Sequence, residues 1–235
     1  MVKEINIIRR LGSKQNDIKY FKHLLPIDCK IIVEPFGGSF AVSKFFYKDI
    51  EKYKFHINDL DDELFYLYKK YKTYIDVRQD LAERFNNTEK LNKGKRFKDY
   101  IDNLDVNDYI KSYILDNILI KSYIVPTIPN NNYCKPEFDI LDNSIFTNSD
   151  YKIILEQYKD NKDAFLFLDP PYLFSDNSGY YPQNENHDMT CIIPYILEFL
   201  KVSKCKVMLI INKLGILEYF FKDYIKEEYN KIYQI

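Results

Sequence analysis

The segment Ala164-Phe165-Leu166-Phe167-Leu168 most narrows the fold, because it is an unbroken apolar run that stops at Asp169-Pro170-Pro171-Tyr172. A strand with one wet face alternates polar and apolar residues. A run without alternation is covered on both faces, so the chain must supply a layer above it and another below. Ile31-Ile32-Val33 is a second such run and ends at Glu34-Pro35. Other segments show helical spacing. Residues 13–25 carry Ile18, Phe21, Leu24 and Leu25 on one side, with Ser13 able to cap the start and Pro26 beyond the end. Helices are also predicted over 40–47, 60–71, 105–123, 190–202 and 214–224. Further strands are predicted over 54–57 and 207–211, with a possible last strand over 229–235. Strands alternating with helices predict an α/β fold, a mainly parallel sheet with helices on both faces.

Residues 85–148 break this alternation. Basic and polar residues gather over 89–99, and 126–146 is rich in Pro, Asn and Asp and reads as irregular. The sequence thus predicts a catalytic domain formed by 1–84 and 149–235, with 85–148 as an inserted, mainly helical subdomain. The chain has 235 residues and can bury a full core without disulfides or metals. Its four cysteines, Cys29, Cys134, Cys191 and Cys205, are scattered with no CxxC pair and no Cys/His cluster, so reduced thiols and no metal site are expected. No apolar run approaches the roughly 18 residues of a membrane span, and residues 1–10 lack the apolar stretch of a signal peptide. A cytoplasmic protein with no membrane contact is therefore expected. The net charge of -1 implies that any polyanion must meet a local basic patch.

A parallel sheet binds its ligand at the carboxyl ends of its strands. After the first strand comes Glu34-Pro35-Phe36-Gly37-Gly38-Ser39, which holds two of the six glycines of the chain. Glycine lets a ligand approach the backbone, because no Cβ intervenes. The second strand ends at Asp59, 21 residues after Gly38, a place from which an acid can accept hydrogen bonds from ribose hydroxyls. A tight turn followed by a capping acid would look the same. The later motif is more informative. The buried strand delivers Asp169 to the sheet edge, and two prolines hold the following chain extended. The Asp169 carboxylate and the Pro170 carbonyl can each accept one hydrogen of an adenine amino group and free its lone pair for attack. Tyr172 offers a flat ring on which an extruded base can stack.

With both motifs in order, the chain resembles the Dam-type, alpha-group N6-adenine-specific DNA methyltransferases, best over 8–71 and 150–172. The resemblance implies a Rossmann-like catalytic sheet, S-adenosyl-L-methionine as cofactor and double-stranded DNA as partner. It implies a cofactor site from Gly12-Ser13-Lys14, Glu34, Phe36, Gly38, Asp59, the acidic-aromatic pair Asp150-Tyr151, and Asp169. It implies catalytic roles for Asp169, Pro170 and Tyr172. The pattern departs from the family in three places. Phe40 stands where a second glycine is usual, and its ring either crowds the methionine end or turns to the core. Arg10 stands where an aromatic is common, and its planar guanidinium either stacks on the cofactor or is plain surface charge. The chain stops at Ile235 where relatives usually finish an antiparallel strand pair, so it either lacks the last strand or is truncated.

The family carries its target-recognition subdomain between these motifs, so Lys93, Lys95 and Arg96 in the basic stretch are expected to touch DNA phosphates. A solvated loop would have the same composition. Asn130, Asn131 and Asn132 can contact adenine edges or simply form a turn. Two alternatives stay open: a methyltransferase for RNA or a protein amide, and an inactive DNA-binding paralogue.

Overall fold

The computed structural model describes residues 13–49, 51–86, 93–118, 135–172 and 189–229. It divides into two compact units, Gly12–Asp61 with Asn143–Ile235, and Met1–Leu11 with Asp62–Asp142. The predicted boundaries at 84/85 and 148/149 follow the change in composition. The compact division follows packing.

Among the described residues, the first unit is built on five parallel strands: β1 (Ile31–Glu34), β2 (Lys54–Asn58), β3 (Ser144–Thr147), β4 (Ala164–Leu168) and β5 (Lys206–Leu209). Their order is β3-β2-β1-β4-β5. The chain winds outward from β1 to β3, then returns to the other side of β1 as β4, with Ile31, Ile32 and Val33 opposite Ala164, Phe165 and Leu166. The loops after β1 and β4 therefore part in opposite directions, and this switch point is where an open parallel sheet leaves a crevice.

Side-chain alternation splits the core in two. On one face Ile32, Phe55, Phe165 and Phe167 pack with Phe21, Val42 and Phe46, from the short helix α1 (Ile18–Phe21), the helix α2 (Ala41–Phe45) and the turn after it. On the other face Val33, Ala164, Leu166 and Leu168 pack with α7 (Tyr151–Tyr158), α8 (Met189–Val202) and α9 (Gly215–Phe221). Every residue of β4 is buried. At roughly 2 kcal/mol for each large side chain removed from water, this run outweighs any local preference, which is why its bounds could be read from sequence.

Weaker signals were misread. The predicted helix over 13–25 is broken into a 3-10 turn (Lys14–Asn16), α1 and a second 3-10 turn (Lys22–Leu24). Bonds from Asp17 N–H to the Lys14 carbonyl and from Leu25 N–H to the Lys22 carbonyl tighten the turns. Pro26 holds Leu25 extended. The predicted helix over 40–47 is only Ala41–Phe45 before it tightens to 3-10. The possible strand over 229–235 lies outside the described residues except Tyr229, whose ring stacks on Tyr20 at 5.1 Å.

The second unit is helical. In chain order it contains α3 (Asp62–Phe85), α4 (Lys93–Asp102), α5 (Asp108–Ile118) and α6 (Lys135–Asn143). The helix predicted to end near Tyr71 runs on to Phe85, bending at Lys70 (φ -120°, ψ 25°). Tyr74, Val77, Leu81 and Phe85 continue its buried stripe. The described part of the basic stretch, residues 93–99, lies in α4, which buries Gly94, Phe97 and Ile101 and leaves Lys95, Arg96 and Lys98 exposed. Phe85 meets Phe97 edge to face at 5.1 Å, and Tyr74 meets Tyr113 likewise at 5.4 Å. Of the segment expected to be irregular over 126–146, residues 126–134 lie outside the described residues, and the rest holds α6 and the start of β3. Buried Ile140 and Leu141 commit α6 to the helical unit, and pairing with β2 commits β3 to the sheet. No described helix is long and apolar enough to cross a membrane.

Candidate active site

The turn after β1 is closed by two bonds. Gly37 N–H donates to the Asn58 carbonyl at 2.7 Å, and Gly38 N–H donates to Asp59 Oδ2 at 2.8 Å. Gly37 has no substitute, since a Cβ would lie 2.6 Å from Ile57 Cγ2 and 2.9 Å from the Asn58 carbonyl oxygen. Gly38 sits at φ +51° with open space where its side chain would be, so backbone faces that space directly. Asp59 is 3% exposed, and its Oδ1 also accepts from Asp61 N–H at 3.0 Å. The acid therefore builds the turn as well as facing it.

Phe40 follows in left-handed backbone (φ 42°, ψ 47°) and caps α2. This conformation costs a side-chain-bearing residue about 1–2 kcal/mol, a cost that glycine does not carry. Here the ring turns inward and is fully buried, which returns roughly 2 kcal/mol.

Glu34 is 2% exposed and points under α2, where it accepts from Ser43 N–H at 2.7 Å. Burial raises its pKa to about 7 against the lowering effect of that bond. The folded-state value is above the ordinary one, so this contribution to stability is complete below about pH 4.5 and is lost as pH rises through about 7. Glu34→Gln is expected to raise the melting temperature at pH 8 by an amount corresponding to about 3 kcal/mol, and by little at pH 5. Thermal melts across that range test it, and a gap that does not grow with pH refutes it.

Lys14 comes from the first 3-10 turn and is 5% exposed. Its Nζ donates to Asp169 Oδ2 at 2.6 Å and lies 5.1 Å from the centre of the Tyr172 ring. Ser13 Oγ meets Ser39 Oγ at 2.5 Å, tying this turn to the glycine loop. Pro170 is buried, while Asp169 and Tyr172 are partly exposed. Phe36 stacks on Tyr151 at 5.2 Å. Asp150 caps α7 by accepting from Lys152 N–H at 2.8 Å. The Tyr151 hydroxyl is buried without a hydrogen-bond partner among the described residues, and burial raises its pKa.

Lys14, Glu34, Phe36, Gly38, Asp59, Asp150, Tyr151, Asp169, Pro170 and Tyr172 thus belong to one unit, at or beside the carboxyl edge of the sheet. Arg10, Gly12 and the Asn130-Asn131-Asn132 run lie outside the described residues. Lys93, Lys95 and Arg96 are in the helical unit. Sequence reading passed over Tyr229, whose hydroxyl pKa is raised by burial and by the charges of Asp17 and Asp169, with Lys14 opposing. It also passed over Asn58, whose one signal was its place beside Asp59 at the end of β2. Among the described residues no cluster of three or more His, Cys, Asp or Glu could hold a metal.

A parallel sheet with a glycine turn latched to an acid, and a second acid at the switch point, sets out an α/β enzyme with its site at the carboxyl edge of the sheet. Residues 11–134 match the D12 class N6 adenine-specific DNA methyltransferases. The chain belongs to this family, and its activity is methylation of adenine in DNA. It is similar also to the type II methyltransferase M.CviBI of Paramecium bursaria Chlorella virus NC1A, at 27% identity over 97% of this chain and 90% of that protein.

Proposed function

We propose that the chain takes its methyl group from S-adenosylmethionine and delivers it to the amino nitrogen of an adenine swung out of duplex DNA. The residues fit the cofactor. Gly38 leaves bare backbone at the turn, Phe36 on Tyr151 makes an aromatic wall, and the Tyr151 hydroxyl is an orphaned donor at that wall. When bound, the cofactor supplies an electrophilic methyl on a sulfonium. Asp59 would accept from the ribose hydroxyls, and Glu34 would hold α2 and the turn from below. Lys14 orients Asp169. Asp169 and the Pro170 carbonyl would hold the two amino hydrogens, and Tyr172 would stack on the base. Lys93, Lys95 and Arg96 would contact phosphates from the insertion that reads the target. By likeness to the viral enzyme, the role is site-specific marking within a restriction-modification system inside a cell.

The observation that carries this reading is the pairing of Lys14 with Asp169 beside the glycine turn at the β1–β4 switch point. Labelled S-adenosylmethionine offered with duplex DNA, RNA or protein tests it. Methylated adenine in DNA is expected, and label in RNA or in a protein amide overturns it. Asp59→Ala is expected to weaken cofactor binding by about 1–3 kcal/mol, the value of a lost charged acceptor. Calorimetry reads this, and an unchanged affinity refutes the ribose role.

A further inference from the structure

Asn58 is 1% exposed, and both ends of its amide are used. Nδ2 donates to the Pro35 carbonyl and to the Ser149 carbonyl, each at 2.9 Å. Oδ1 accepts from Ser149 N–H at 3.0 Å and from Thr147 Oγ1 at 2.7 Å. This orientation is forced, because turning the amide over would set its oxygen against two carbonyls and its NH2 against an amide N–H. The Thr147 hydroxyl spends its proton on Asn58, so towards His56 Nε2, 2.8 Å away, it can only accept. His56 then carries its proton on Nε2, and Nδ1 accepts from the Tyr158 hydroxyl at 2.9 Å. Burial lowers the His56 pKa and favours this neutral form.

Asn58 and its partners Pro35 and Ser149 stand at the starts of three different loops. Pro35 precedes Phe36 and Gly38, Asn58 itself precedes Asp59, and Ser149 precedes Asp150 and Tyr151. The network also holds its neighbours, since Asn148 Nδ2 donates to the Asp59 carbonyl at 3.0 Å. We infer that Asn58 is a positioning residue: it latches the loops after β1, β2 and β3 in the one arrangement that binds the cofactor, and the Tyr158–His56–Thr147 chain fixes the direction of its amide. This rests on the cofactor reading above. None of these side chains touches the reacting atoms. A misplacement of about 1 Å among contact residues is enough to change binding or rate a hundredfold.

The test is S-adenosylmethionine calorimetry and steady-state methylation on the full chain, with melting temperatures alongside. Asn58→Asp keeps the size and the Oδ1 acceptor but removes both donors. It is expected to raise Kd and KM for the cofactor at least tenfold, while kcat at saturating cofactor and KM for DNA change less than threefold. Thr147→Val should weaken cofactor binding in the same direction, and Thr147→Ser, which keeps the hydroxyl, should restore it. If Asn58→Asp does not fold, the Thr147 pair decides alone. Cofactor affinity equal to wild type in Asn58→Asp, or in Thr147→Val where that pair decides, overturns the latch. So does a fall in kcat without a change in Kd. Failure of the wild type to bind S-adenosylmethionine overturns instead the reading on which the latch rests.

Discussion

Asp169→Asn is expected to slow methyl transfer by about two to three orders of magnitude, the usual effect of removing one pre-organised polar group from a reacting centre. The asparagine keeps the shape and one acceptor oxygen, but it loses the charge that Lys14 meets at 2.6 Å. Asp169→Ala should lose at least as much activity and should also melt earlier. Lys14 is 5% exposed, and an ammonium so far from water that loses its carboxylate destabilises by about 2–4 kcal/mol. Cofactor binding should fall only in part in either variant, because Asp59 and the Gly37-Gly38 turn are anchored to β2 rather than to β4. Single-turnover methylation at saturating cofactor and DNA measures the effect. A rate near wild type in Asp169→Asn would remove the carboxylate from the chemistry, whatever happens to stability.

The same carboxylate shows why some features were legible in the sequence. Asp169 follows a strand whose five side chains are all buried, as a strand covered on both faces hides them. The edge of the sheet, the proline pair and the acid therefore follow from a strong local pattern. Gly37 was legible for a similar reason, since a steric demand leaves its mark on residue type. β3 was not legible. Its four residues, Ser144 to Thr147, bury only Phe146, so their strand state comes from β2, whose sequence is almost 90 residues away. The break at Lys14 was hidden too. Residues 13–25 have good helical spacing, but two i to i+3 bonds tighten the turns while Lys14 reaches Asp169, 155 residues away in sequence. Asn58 is the clearest case. A buried asparagine and a solvated one are the same letter, and only the convergence of Pro35, Thr147 and Ser149 on it gives it meaning.

Tyr172→Ala is expected to lose about 1–3 kcal/mol of target-base stabilisation, the value of one base–aromatic stack, or roughly one to two orders of magnitude in rate or target affinity. Tyr172→Phe should keep most of the activity, because the π-face is retained. The Lys14 ammonium 5.1 Å from the ring centre offers a rival account, in which the ring serves only to cover that charge. A cation–π contact is worth about 0.5–2 kcal/mol, and phenylalanine preserves much of it. The phenylalanine variant therefore cannot separate the two accounts, but the alanine variant can. A ring that covers Lys14 stabilises the free protein, so its loss should lower the melting temperature while single-turnover methylation stays close to wild type. A ring that stacks on an extruded base is needed only in the complex. Its loss should slow methylation or weaken DNA binding, with the melting temperature nearly unchanged. Cofactor affinity should hold in both variants. A third outcome, equal damage from phenylalanine and alanine with both melting early, would mean that the hydroxyl holds the loop, and the stacking role would be withdrawn.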